Sequence, residues 1–125
     1  MAVSIVPTAG LAAVASAFST AVLTPFIAIG TNATTPAATD TEANTLTTQQ
    51  DRNAVTTTTV SGASVTYEAF FSTSEPTTSQ TITDVRLLNA STVGTLLVRG
   101  LLTTALAKTT NKTMLVTIAI TFANA

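Results

Sequence analysis

The clearest periodicity lies near the C-terminus, where Met114, Val116, Ile118, Ile120 and Phe122 alternate with Leu115, Thr117, Ala119 and Thr121. A period of two places the first set on one face of a strand and predicts a sheet with one buried side. The same alternation runs through Val65, Tyr67, Ala69 and Phe71, set against Thr66, Glu68 and Phe70. Adjacent Phe70 and Phe71 must point to opposite sides, one into the core and the other exposed at a subunit contact or a ligand groove, with core plus subunit contact the most economical account. Residues 81–88 (TITDVRLL) also alternate, but Ile82 and Val85 fall out of phase, as they would across a β-bulge. Residues 55–60 and 95–102 read as further strands, with turns at Ser61-Gly62 and over residues 89–94. A polar break covers residues 72–80 around Pro76.

Before residue 25 the period changes. Leu11, Val14, Phe18 and Val22 fall at helical spacing and make one stripe, with Thr8 after Pro7 placed to cap the helix. The opposite side carries Ala and Ser instead of charges, so the helix is expected to be covered on both sides, to pack on a neighbouring subunit, or to act as a lid on the domain. Pro25 ends the helix, and Phe26-Ile27-Ala28-Ile29 reads as a short buried strand stopped by Gly30. Residues 31–50 are small and polar and predict a long surface loop, with a brief strand near Leu46. A loop of that length is commonly functional or braced by another chain. The division expected is a helical arm over residues 1–24 and a β-sandwich domain over residues 25–125. The fold class is mainly β: an antiparallel sandwich or small barrel with one N-terminal helix.

Composition changes this picture in one respect. Thirty of the 125 residues are threonine and only eleven are charged, 9% of the chain, against about 25% in an average soluble domain. The polar surface must therefore be built largely from hydroxyls on β-branched side chains, which favour extended structure. The net charge of −1 leaves little repulsion between copies, a condition that favours self-association. Arg52, Arg86, Arg99, Lys108 and Lys112 are scattered along the chain and form no basic run, so no nucleic-acid partner is expected. Residues 9–23 are mostly small or apolar, but they are short for a membrane span, are interrupted by serine and threonine, and lack the basic flank of a secretory signal. No membrane partner is expected either. The sequons at Asn32, Asn89 and Asn111 read as chance matches in so threonine-rich a chain.

With no histidine or cysteine, the common zinc sites and the Ser-His and Cys-His nucleophile pairs are excluded. A carboxylate pair would have to come from Asp40, Glu42, Asp51, Glu68, Glu75 and Asp84, most of which fall in predicted loops and read as solvated surface acids. Asp40, Glu42 and Asp51 could supply oxygen ligands to calcium, but no Asp-x-Asp-x-Asp-Gly loop is present. No glycine-rich phosphate loop occurs, and Tyr67 is too solitary for a sugar-stacking platform. The expectation is a protein that is not an enzyme, with no catalytic, cofactor-binding or metal residues and no cofactor.

Three stretches carry a resemblance. Residues 26–41 (FIAIGTNATTPAATDT) are similar to the "(A/L)IGTGxTxPxxxDT" segment of small virion structural proteins of tailed bacteriophages. Residues 82–101 (ITDVRLLNASTVGTLLVRGL) resemble the "ITEVGLF…GTLLARxxF" segment of the same proteins, and TMLVTIAITF at the C-terminus resembles their closing strand. Order and spacing agree over nearly the whole chain, and an N-terminal helix leading into the first motif is usual. Asn32 stands where the second glycine is usual, and Asp84, Arg86 and Leu88 stand where Glu, Gly and Phe are usual. The resemblance implies a β-sandwich in the virion, tail-fibre-like or a capsid decoration protein. The expected function is a decoration (cement) protein that stabilises the head by binding neighbouring subunits. Its partners would be copies of itself, possibly as a trimer, and the major capsid protein or tail proteins. The alternative is a tail-fibre or adhesin component that attaches to a host surface.

Overall fold

The computed structural model describes residues 5–124. Its elements run α1 (Thr8–Ala21), β1 (Phe26–Gly30), α2 (Glu42–Thr45), a 3-10 turn (Leu46–Thr48), β2 (Gln49–Ala54), β3 (Thr57–Ser61), β4 (Ser64–Phe71), β5 (Gln80–Leu88), β6 (Leu96–Lys108) and β7 (Met114–Thr121). Four strands pair in the order β2-β1-β5-β6 and three in the order β3-β4-β7, with every pairing antiparallel. The two sheets enclose one apolar cluster as a sandwich and do not close into a barrel. From the first sheet come Ile27, Ile29, Val85 and Leu87; from the second come Val65, Tyr67, Ala69, Phe71, Met114, Val116 and Ile118. These are the positions that the period of two assigns to inward faces. Removing a ring such as that of fully buried Phe71 costs about 3–5 kcal/mol in cores of this kind. Its neighbour Phe70 points outward and is 47% exposed.

The helix packs against β3 and β4. Phe18 meets Tyr67 edge-on with ring centroids 6.3 Å apart and Phe122 at 5.7 Å. Its buried residue is Ala15, whereas Val14, expected in the inward stripe, is 45% exposed. The small side chain lets the helix approach closely, and Leu11, Phe18 and Val22 keep their inward places around it. Pro7 occupies the N-cap position, and Thr8 is the first helical residue with no side-chain cap bond. The helix stops at Ala21, short of Pro25, where the Val22 N–H bonds the Phe18 carbonyl.

Several boundaries differ from those the pattern predicts. The strand expected over residues 55–60 starts later, at Thr57, because Val55 instead bonds the Pro25 carbonyl. No strand forms at Leu46: α2 and the 3-10 turn occupy that stretch, and β2 begins at Gln49. A capping box explains α2, since Thr41 Oγ1 accepts from the Asn44 N–H and Asn44 Oδ1 accepts from the Thr41 N–H. β6 runs on past residue 102 to Lys108. Its register against β5 breaks between Ile82 and Asp84, with Leu106 and Leu101 as their respective partners. The out-of-phase Ile82 and Val85 thus mark a real bulge, with the extra residues in β6.

Candidate functional site

The register of the first sheet brings together residues that lie far apart in the chain. Ala28 of β1 faces Arg52 of β2 on one side and Arg86 of β5 on the other, and Arg86 faces Arg99 of β6. Cross-strand partners share a face, so all three arginines of the chain stand in one row on the outward side of this sheet. Residues 31–48 cross over that row as a strap, and each arginine donates hydrogen bonds to it.

Arg86 is the central tie. Its Nε donates to Asp84 Oδ2 at 2.9 Å and its Nη2 to Asp84 Oδ1 at 3.2 Å, a bidentate pair between two fully buried side chains. The remaining donors reach the strap, Nη1 to the Thr45 carbonyl at 2.6 Å and Nη2 to Thr48 Oγ1 at 2.7 Å. Arg99 donates through Nε to the same Asp84 Oδ2 at 2.8 Å, and through Nη1 to Asp40 Oδ2 at 3.2 Å. Its Nη2 holds the strap backbone directly, at the carbonyls of Asn32 and Thr34. Two guanidinium groups placed directly opposite would repel; the Asp84 carboxylate between them offsets that repulsion. Arg52 makes the third tie, from Nη2 to Glu42 Oε1 at 3.0 Å, while its Nη1 bonds the carbonyls of Ala90 and Val93 in the turn after β5.

Two small residues make room for this layer. Ala28 is fully buried in the row itself. A Cβ on Gly30 would overlap both Arg86 Nη2 and Asp84 Oδ1. Gly30, expected only to stop a strand, is therefore required by the close approach of the ion pair. Local turns finish the strap. Asn32 Oδ1 accepts from the Thr34 N–H, and Asp40 Oδ2 accepts from the Ala37 N–H. The latter bond, followed by the Arg99 guanidinium, holds the Asp40 carboxyl below its usual pKa. Asn32 acts through this side-chain turn, since Val93 is the non-glycine residue with positive φ among those described. The crest of the strap, residues 33–39, is exposed throughout. Beside it a cavity of about 270 Å³ is lined by Pro36, Ala37, Ala38 and Asp40 on one side and Leu96, Leu97, Val98 and Arg99 of β6 on the other.

The carboxylates expected to be solvated divide into two groups. Asp84 is 0% exposed and Glu42 8%, and both are held by arginine, which corrects the reading of them as surface acids. Asp40, Glu42 and Asp51 do not converge: Asp40 pairs with Arg99, Glu42 with Arg52, and Asp51 Oδ1 accepts from the Arg52 N–H. Among the described residues no three acidic groups come together as a metal site. Glu68 stays half-buried on the outward face of β4, near Thr117. Glu75 accepts from the Ser72 N–H, which lowers its pKa. Tyr67 is wholly buried in the core, where loss of hydration raises its pKa.

The arginine row escaped the reading of the sequence because register across four strands is not a local property. One local signal pointed to it: Asp84 and Arg86, at i and i+2 in an otherwise apolar strand, fall on one face and carry opposite charges. Among the described residues no helix is long and apolar enough to cross a membrane. Comparison with models of protein families found no match, and a search of curated proteins found no significant relative.

Proposed function

We propose that this chain is a structural protein of a tailed-bacteriophage particle, and specifically a capsid decoration protein that stabilises the head by binding neighbouring subunits. The resemblance of residues 26–41, 82–101 and 113–122 to small virion proteins supports the setting. The observation that carries the reading is the strap: an exposed, uncharged crest over residues 33–39 held by three buried arginines. A surface loop held in one conformation loses little freedom on binding, so more of its contact energy remains as affinity. The ions that fix it face inward and are neutralised there, leaving a contact surface of methyls, hydroxyls and backbone groups. Such a surface suits a neighbour recognised by shape and apolar burial. This reading includes no catalytic step, cofactor or nucleic-acid contact.

The test is attachment to particles at increasing ionic strength, together with copy number. Binding should change little between low and physiological salt, because few exposed charges take part. Release on a moderate increase in salt would overturn the proposed mode of attachment. A copy number comparable with that of the major shell protein supports decoration; one comparable with tail components supports the tail-fibre or adhesin alternative.

A further inference from the structure

The sandwich has four strand edges, and they are not equally protected. Natural sheets guard free edges with charges, bulges, short strands or covering segments, because unpaired backbone groups recruit other strands. β2 carries Asp51 and Arg52, and its register against β1 shifts between Ile29 and Gly30. β6 carries Arg99 and Lys108, and its register is broken at two places. β3 has only five residues and lies against α1.

β7 has none of these devices. Its eight residues pair with β4 in unbroken register from Met114 to Thr121, with no proline and no charge. Residues 113–125 contain no charged side chain at all. Among the described residues, no strand pairs with its outer edge, and its backbone makes no hydrogen bond outside the sheet. The outward side chain Leu115 is 60% exposed and stands opposite Phe70, itself 47% exposed, so an apolar patch adjoins the open edge.

We infer that β7 is a self-association edge, pairing antiparallel with β7 of a second copy about a two-fold axis through Thr117. A second copy is the occupant that matches this edge in length, in alternation and in lack of charge. With the axis normal to the sheet, Val116 meets Ile118 and Met114 meets Ile120, so the inward apolar row continues across the junction. On the outward face Leu115 meets Ala119, a large side chain against a small one. The three strands of each copy then form one continuous sheet, and the interface is isologous and closed. This specifies a dimer in place of the trimer expected for a decoration protein. It does not rest on the virion reading, and it is measured on the free protein.

The chain has no cysteine, so single cysteines report contacts cleanly. Sedimentation of the wild type at about 100 µM, a concentration that detects even weak pairing, should give a dimer. Thr117→Cys should yield a covalent dimer on mild oxidation, whereas Thr57→Cys on β3 should not. Thr117→Glu sets two carboxylates opposite each other across the axis, each beside Glu68 of its own copy, and should weaken dimerisation about fivefold or more; Thr57→Glu, which also faces Glu68 but on β3, should leave it unchanged. Thermal melts of each variant at low concentration establish that the monomer still folds. A wild type that is monomeric or trimeric at the higher concentration, or a dimer cross-linked through residue 57 and not 117, would overturn the inference.

Discussion

On the outward face of the four-stranded sheet, Arg52, Arg86 and Arg99 lie beneath a strap that leaves them almost no access to water. On the outward face of the three-stranded sheet, Thr57, Thr59, Thr66, Thr117 and Thr121 stand in cross-strand rows without any cover. The usual division of labour puts charges outside and uncharged groups inside. Here six of the eleven charged groups, Asp40, Glu42, Arg52, Asp84, Arg86 and Arg99, belong to the covered layer. The open face relies on hydroxyls, with Glu68 as its one carboxylate among these rows. A threonine on a strand satisfies hydration and β-geometry together, so an open sheet face needs no charge. A segment without regular sheet pairing, such as the strap, does need directed donors, and a guanidinium supplies several in a fixed plane. Low overall charge is thus compatible with a high concentration of charge at the one place where irregular backbone must be held.

The sharpest way to break this contrast is Asp84→Asn. The substitution preserves shape but removes the carboxylate shared by Arg86 Nε and Arg99 Nε, leaving two opposed cations buried together. Breaking a buried pair in this way costs about 3–5 kcal/mol. Denaturant unfolding should show that loss; a cost near zero would mean that water or a shift of the strap already solvates the layer.

Gly30→Ala applies a smaller stress to the same layer. The added methyl enters a space occupied by the ends of Arg86 and Asp84, and neither end is free to swing into solvent. Overpacking of this kind costs about 1–3 kcal/mol. Thermal melting provides the measurement, and hydrogen exchange should locate the loosening at residues 31–48 more than in β4 and β7. Uniform loosening would mean that the strap and the core unfold as one unit.

Lowering the pH probes the strap through its own acid. Asp40 has a folded-state pKa below its unfolded one, chiefly through the Ala37 N–H and then Arg99. Glu75 is lowered likewise, first by the Ser72 N–H. A depressed folded pKa contributes stability that is present above the unfolded value and is lost as pH falls through the folded value. Melting temperature should therefore begin to fall below about pH 4–5 and continue falling at lower pH. Asp40→Asn should reduce the part of that slope due to the strap, while Glu75→Gln removes the part due to residues 72–80. An unchanged slope in Asp40→Asn would mean that the Ala37 turn does not hold the strap.

These contrasts also explain what the sequence made legible. Strict alternation identified the inward rows of β4 and β7, because each side chain's facing there depends only on position along its own strand. The bulge between Ile82 and Asp84 could be read for the same reason, as a local slip in phase. Helix phase was off by one position at Val14, since Ala15 is chosen by the closeness of packing and carries little hydrophobic weight. The site itself was hidden more thoroughly. Arg52, Arg86 and Arg99 look scattered until four strands are aligned, and the buried arginine in β5 stands where the resembling phage segment has glycine. A motif matched by resemblance points away from the residue that organises this layer.

The smallest expected effect tests the open face. Thr59 and Thr66 are cross-strand neighbours, with Thr59 exposed, and neither hydroxyl hydrogen-bonds another side chain among the described residues. Thr59→Ala removes a hydroxyl that water already satisfies and slightly lowers β-propensity, so its cost should stay within about 0.5 kcal/mol. The comparison gains force if Thr57→Ala and Thr121→Ala are as mild, for then the threonine rows contribute solubility and geometry with little stability. Thr121 differs in bonding Ser64 across the strands at 2.9 Å, and it should therefore show the largest loss of the three. If Thr59→Ala instead costs as much as Gly30→Ala, the face is held by more than its hydroxyls' contact with water. The contrast between a covered, directed layer and an open, self-sufficient one would then fail on its open side.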